Sequence, residues 1–517
     1  IPRQHPSVVK GVAGSPYAIT DYYDIDPDLA DDIDQRMNEF QQLVDRTHQA
    51  GMKVIIDFVP NHVAREYHSI MKPEGVRDLG EDDDTGKHFS PINNFYYCPG
   101  LPFVSPVQPK EGEEPYVENP AKCTGNDRFD NCPGRNDWYE TVKLNYGIDY
   151  CDAGGRSYHF EPVPNTWVKM TDILLYWASK DIDGFRCDMA QSLVKGDDKQ
   201  HTGTMRLWHE LRSWFEAKYP EGILISEWSQ PRQSLRAGFH IDLLIHNGAG
   251  TKIYRTLVCQ TDDRGTKETP CFFDYEGRGQ VKAFAENYRI EYEATRELGY
   301  AAMPTCSHDI WRLNRFDRNT PEQLKTALTL FLTLPAVPIL YYGEEIGMRN
   351  LEDAPVKEGS YTSRNRSSCR TPMQWDDSPN AGFSTADASR LYLPIDPSPA
   401  RPTVAAEERD PQSILNYVKG LIALRRQTPA LGTQGAWRFV SDVEQPYPMV
   451  YARELDGQKY LVALNPSKRS ATARFASEGA AAEAVYGTGD GAKYTSKNGL
   501  STLKMKPVSA VILKITE

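Results

Sequence analysis

Apolar and polar positions alternate in two rhythms along this chain. Residues 30–51 set Met37, Phe40, Leu43 and Val44 on one helical stripe, with Asp31 or Asp32 at its start and Gly51 at its end. KVIIDFVPNH (53–62) follows at once, a continuous apolar run of strand length closing on Asp, Pro, Asn and His. A helix feeding a fully apolar strand marks a parallel sheet covered by helices. The same beat returns in KMTDILLYWASKDI (169–182), a helix running into the strand of DIDGFRCDMA (181–190). Helices at 207–220, 279–298, 321–335 and 410–431 then interleave with strands at 223–228, 239–246, 302–309 and 337–345. The strand cores are 54–58, 182–187, 223–227, 240–245, 302–307 and 337–342, six in all.

Two stretches leave this rhythm. Residues 63–165 are rich in Pro, Gly, Asn and Tyr with little periodicity. A hundred structureless residues do not fit inside a compact domain, so an inserted subdomain of short strands is expected there. From about residue 435 the period becomes two, in MVYAREL, YLVALNP, TARFAS and AVILKI, which predicts an antiparallel β domain. Six parallel strands fall short of the eight of a (β/α)8 barrel. The expected fold is such an α/β barrel with its first two βα units lying before Ile1; an open six-stranded sheet is the alternative. The domains expected are barrel at 1–62, insert at 63–165, barrel at 166–434 and a β-sandwich at 435–517.

The charge balance, 59 basic against 71 acidic side chains for a net −12, argues against nucleic acid or an anionic membrane as partner. No apolar run is long enough to span a bilayer. Nine cysteines are present. Cys98, Cys123, Cys132 and Cys151 cluster, Cys259 and Cys271 form a second close pair, and Cys187, Cys306 and Cys369 resemble buried thiols. Pairing within the cluster would favour a periplasmic or secreted location; reduced thiols would fit the cytoplasm. Oligomeric state is not legible.

Polar residues gather where the strands end: Asp57, Asn61 and His62; Arg186 and Asp188; Glu227; His308 and Asp309. In a barrel these ends converge on the face that carries the active site. Arg186 and Asp188 are two apart and share a strand face. The guanidinium would favour the ionised carboxylate, the state a nucleophile needs; a structural ion pair is the plainer alternative. Glu227, between Ile225 and Trp228, sits in apolar surroundings that raise a carboxyl pKa. An ionised and a protonated carboxyl about 5–5.5 Å apart cleave a glycosidic bond with retention.

These segments together resemble the α-amylase family of retaining α-glycoside hydrolases. KVIIDFVPNH is similar to its first conserved region, DGFRCDMA to its second, ISEW to its third and SHD to its fourth, in the family's order and spacing. The resemblance implies Asp188 as nucleophile, Glu227 as acid/base and Asp309 as transition-state stabiliser. It implies His62, Arg186 and His308 as sugar binders in the cleavage subsite and Tyr17, in SPYAITDYY, as the ring that stacks on that sugar. It needs no cofactor for the chemistry and leaves a structural calcium open, with Asn61 as one ligand or as a structural residue. Two departures stand out. Ser307 replaces the Asn that usually opens the fourth region, and Gln191 and Ser192 stand where many endo-acting members have Lys-His. The loop CRTPMQWDDSPNAGF (369–383) resembles that of α-glucosidases, oligo-1,6-glucosidases and trehalose synthases, with Arg370 either contacting substrate or, like Arg364 and Arg366, holding the loop. The implied activity is hydrolysis of short malto- or isomalto-oligosaccharides. A trehalose-synthase-like isomerase, an endo-amylase and a non-catalytic sugar-binding relative are the alternatives.

Overall fold

Ile55–Phe58 (β1) is too short and too apolar to stand alone, and it takes its partner from far along the chain. The computed structural model describes residues 4–109, 111–149, 157–262, 267–357, 366–489 and 491–516. It folds as two compact units, the first built mainly from residues up to Trp228 and Arg232–Asp242, the second mainly from Leu243–Val356 and the described residues from Arg366 on.

In the first unit β1 pairs in parallel with Gly184–Cys187 (β2), which pairs with Ile223–Ser226 (β3), which pairs with Ile241–Leu243 (β4). The helices before these strands are Arg36–Gln49 (α1), Asn165–Ala178 (α2) and Thr202–Lys218 (α3). Each lies within a few residues of the stretch its apolar stripe marks. Met170, Ile173, Leu174 and Trp177 of α2 and Leu207, Trp208, Leu211 and Phe215 of α3 are buried with Phe58, Phe185 and Leu224 in one core. Between β1 and α2 the chain makes three two-stranded antiparallel ladders: His62–Ala64 with Thr141–Lys143, Tyr97–Cys98 with Ala121–Lys122, and Ile148–Asp149 with Ser157–Tyr158.

In the second unit Tyr300–Pro304 (β5) and Val337–Ile339 (β6) are parallel. They are served by Lys282–Thr295 (α4), Pro321–Thr333 (α5) and Ile414–Gln427 (α6). α5 opens with a capping box, Thr320 and Gln323 satisfying each other's backbone N–H, and with Pro321 at its first position. It is buried on every side from Gln323 onward, so helix propensity and caps, not amphipathicity, define it. All six expected parallel strands are thus present, four in the first unit and two in the second.

The C-terminal alternation gives two antiparallel sheets inside the second unit. Ala436–Phe439 (β7), Met449–Leu455 (β8), Gln458–Asn465 (β9), Ala481–Gly487 (β11) and Ser509–Thr516 (β14) form one, in the order β7-β8-β9-β14-β11. Ala471–Ala476 (β10), Ala492–Lys497 (β12) and Leu500–Met505 (β13) form the other, in the order β10-β13-β12. Their facing side chains, among them Val450, Leu461, Phe475, Leu503 and Leu513, make a separate core. Arg453 of β8 is fully buried. It donates to the backbone carbonyls of Thr333, Leu431, Gly432, Gly435 and Ala436. It therefore closes the open C-terminal end of α5.

Candidate active site

Strand register assembles the acidic cluster of the first unit. Asp57 lies opposite Arg186, and Cys187 opposite Ser226. One step beyond, Asp188 N–H donates to Phe58 O at 2.8 Å and Glu227 N–H to Cys187 O at 3.0 Å. Asp188 and Glu227 are therefore the next matched pair, on two neighbouring strand ends. β2 approaches β3 this closely because residue 184 is glycine: a Cβ there would be driven onto the Ile223 carbonyl oxygen and within 2.7 Å of Ile223 Cγ1.

One guanidinium links the cluster. Arg186 NH1 lies 2.9 Å from Asp188 Oδ1 and 2.7 Å from Asp57 Oδ1, and NH2 lies 2.8 Å from Glu227 Oε2. The Tyr17 hydroxyl donates to Asp57 Oδ2 at 3.1 Å, and its ring centroid is 5.6 Å from the Arg186 guanidinium. Glu227 Oε2 also accepts the Met189 N–H at 3.2 Å. Burial works against the Arg186 cation, but Glu227, Asp57, Tyr17 and Asp188 together raise it well above its ordinary value.

The Asp188 carboxyl departs from the sequence argument. Arg186 beside Asp188 was expected to keep that carboxyl ionised. Instead burial, and after it the charge of Glu227, push the Asp188 carboxyl well above the usual range, with Arg186 opposing. Arg186 serves three carboxylates at once, so its field is divided, and a hydrogen bond between Asp188 and Glu227 favours a proton held there.

His62 is buried, with its Nδ1 3.0 Å from Asn61 Nδ2 and its ring 5.4 Å from Trp138. Burial first, then the nearby Lys143 charge, lower its pKa to about 3. It is a neutral imidazole at any ordinary pH. The Asn61 carbonyl oxygen accepts from Lys143 Nζ. That fully buried ammonium also donates to Ser192 O at 2.5 Å and lies 3.3 Å from Asp127. A calcium ion does not fit this donor set, because a fixed positive charge already occupies the oxygen it would need. No cluster of three or more His, Cys, Asp or Glu suited to a metal exists among the described residues.

In the second unit Asp309 accepts from Arg370 NH2 at 3.1 Å and pairs with Arg366 NH1 at 3.2 Å, with His308 Nε2 at 3.6 Å. Arg370 Nε donates to the His308 carbonyl at 2.8 Å, and Ser307 Oγ accepts the Asp309 N–H at 3.1 Å. Burial pushes the Asp309 carboxyl up, yet Arg366, His308, Arg370 and His246 outweigh it and hold it below its ordinary value. Arg364 lies outside the described residues. Eight cysteines are described, with no disulfide among them; Cys132 is exposed, the other seven are buried, and Cys151 lies outside the described residues. No helix among the described residues is long and apolar enough to cross a membrane.

A family model of the alpha amylase catalytic domain matches residues 8–434. The chain belongs to the α-amylase family. This α-amylase-family glycoside hydrolase is 23% identical to an alpha-glucosidase of Culex pipiens, over 87% of this chain and 71% of that protein. It is 22% identical to an oligo-1,6-glucosidase of Parageobacillus thermoglucosidasius, over 88% and 81%. It is 25% identical to a trehalose synthase/amylase of Mycobacterium tuberculosis H37Rv, over 85% and 70%. Among solved structures it resembles an alpha-amylase from H. orenii (TM-score 0.64, 20% identity, covering 98% of this chain and 89% of that one). It also resembles the trehalulose synthase MutB from Pseudomonas mesoacidophila MX-45 (TM-score 0.67, 17% identity, covering 98% and 91%). These likenesses fix the α-amylase-family barrel, with its C-terminal antiparallel β domain, as the fold.

Sequence reasoning passed over two groups that matter to this geometry. Asp57 stood among the strand-end carboxylates but had no role; the signal for it is its place opposite Arg186. Lys143 carried no signal at all, since nothing in the sequence brings it to Asn61.

Proposed function

We propose that this enzyme cleaves α-glucosidic bonds of short malto- or isomalto-oligosaccharides with retention of configuration. Asp188 is the nucleophile, Glu227 the acid/base and Asp309 the stabiliser of the cationic transition state. Tyr17, His62, Arg186, His308 and Arg370 bind the sugar. The observation that carries this reading is the single guanidinium of Arg186 touching both Asp188 and Glu227. It keeps the two carboxyls on one pair of strand ends, as a shared glycosidic bond requires.

For attack, the proton of the pair must reside on Glu227, where it can pass to the leaving oxygen, and Asp188 must be ionised. A sugar oxygen entering between the two carboxyls would break their mutual hydrogen bond and accept from Glu227, which shifts the proton in that direction. The neutral His62 imidazole can hydrogen-bond a sugar hydroxyl without adding a positive charge beside the developing cation.

Asp188→Asn should nearly abolish hydrolysis of maltose and isomaltose; unchanged turnover would reject the assignment. Glu227→Gln should lower kcat/KM by about 10²–10⁴ and flatten the alkaline limb of an otherwise bell-shaped profile between about pH 4 and about pH 9. A second reading is favoured by the likeness to a trehalose synthase/amylase and a trehalulose synthase: the same covalent intermediate captured by a sugar instead of water. Incubation with maltose separates them, since hydrolysis accumulates glucose and isomerisation a rearranged disaccharide.

A further inference from the structure

The first unit buries a further carboxylate where β4 meets β3. Asp242 is fully buried and stands opposite Ser226 in the parallel register. Ser226 is the residue before Glu227.

Backbone N–H groups along β3 and just beyond it point alternately to its two neighbours. Ile223 N–H donates to Asp183 O at 3.0 Å and Glu227 N–H to Cys187 O at 3.0 Å, both on the β2 side. Those of Leu224 and Trp228 turn the other way, and each is met by a side chain. Leu224 N–H donates to His240 Nδ1 at 2.9 Å, and Trp228 N–H to Asp242 Oδ1 at 3.2 Å. The register of β3 with β4 covers Ile225–Ile241 and Ser226–Asp242, so the Asp242 carboxylate carries the pairing past the end of the ladder. The same Oδ1 accepts the Ser226 hydroxyl at 2.7 Å. Ser226 Oγ in turn lies 2.5 Å from Ser234 Oγ, and both serines are fully buried.

One oxygen atom therefore grips residues 226 and 228, the two chain neighbours of Glu227. Donors buried this deeply need an acceptor, and removing it leaves them unsatisfied. The Glu227 carboxyl itself is held by Arg186 and by the Met189 N–H; Asp242 acts on the backbone that carries it. We propose that Asp242 is a positioning residue for Glu227: by holding Ser226 and Trp228 it fixes the strand end that aims the acid/base carboxyl at the leaving oxygen. This rests on the reading of Glu227 as acid/base. A proton donor displaced by about 1 Å costs on the order of a hundredfold in rate.

Two substrates separate positioning from a brace that merely keeps the fold. With maltose, the Asp188–carbon bond forms as the glycosidic bond breaks, and the departing sugar oxygen takes the Glu227 proton. With α-glucosyl fluoride the same bond to Asp188 forms, but fluoride leaves as a stable anion and needs little help from the acid. Asp242→Ala should lower kcat/KM on maltose by about tenfold to about a hundredfold, and on α-glucosyl fluoride by less than about threefold. Asp242→Asn, whose amide oxygen can replace Oδ1, should keep both within about threefold of the unaltered values. Equal losses on the two substrates, no loss in Asp242→Ala, or an Asn variant as impaired on maltose as the Ala variant would overturn the proposal. Should Asp242→Ala not fold, Ser226→Ala deletes one of the two held donors and keeps the carboxylate. A maltose-selective loss of about threefold or more is then expected, and equal values for the two substrates overturn the proposal. Turnover of both substrates by the unaltered enzyme tests the glycosidase reading, whereas the ratio between substrates across the variants tests Asp242.

Discussion

At the scale of single residues, the site is governed by how few counter-charges are shared among many groups. Arg186 divides itself among Asp57, Asp188 and Glu227, so no single carboxylate receives its full field. His62 shows the same economy from the other side. Its pKa falls from 6.5 to about 3, so below neutrality the unfolded chain binds a proton that the folded chain refuses. Its contribution to stability is present above about pH 6.5 and is lost as pH falls towards 3. The expected outcome is a shallower fall of urea-unfolding stability across that window in His62→Asn than in the unaltered protein. An unchanged slope would mean that His62 is not held neutral. The carboxylates at strand ends were legible because type, position and spacing coincide there. The direction of the Asp188 shift was not, because it depends on burial and on a neighbour 39 positions away in sequence, neither of which a strand pattern reveals.

At the scale of elements, backbone proximity decides where the chemistry can sit. Gly184 lets β2 lie against β3, and that contact is what aligns Asp188 with Glu227. Gly184→Ala should cost about 1–3 kcal/mol or more by overpacking, seen as a lowered Tm or as insoluble expression. Full retention of both Tm and activity would show that β2 and β3 can separate without harm. The helices were legible from their stripes, but their limits shifted: the helix expected over 169–182 runs Asn165–Ala178, because Asp181 takes a positive φ and breaks it before the strand. The hairpin of β12 and β13 went unread although Asn498 and Gly499, both at positive φ, are a direct turn signal. The flanking strands carry alternating small and polar residues, too weak a stripe to draw notice. β11 is similarly masked by its alanines and by a register shift between Ala484 and Tyr486.

At the scale of the whole molecule, the units do not follow the boundaries that composition marks. β8, far along the chain, donates Arg453 to the end of α5 and to the 431–436 segment. Burial lowers the Arg453 pKa to about 10, and every N–H in its fork that bonds does so to a carbonyl. Arg453→Met would remove this donor from five carbonyls, of which Leu431 O keeps Arg425 NH1, for a loss of about 3 kcal/mol or more, measurable as a fall in Tm; a change within error would show that water replaces the fork freely. No composition shift announces this dependence, since an arginine inside an alternating apolar strand reads as an outward-facing residue. One more consequence reaches the molecule as handled at the bench. The ammonium beside Asn61 is tethered through its own side chain, so the ladder around it relies on a counter-ion that can be neither diluted away nor stripped out. Prolonged dialysis against EDTA should leave melting temperature and turnover unaltered, whereas Lys143→Met should loosen the segment carrying His62 in a way that added calcium cannot restore.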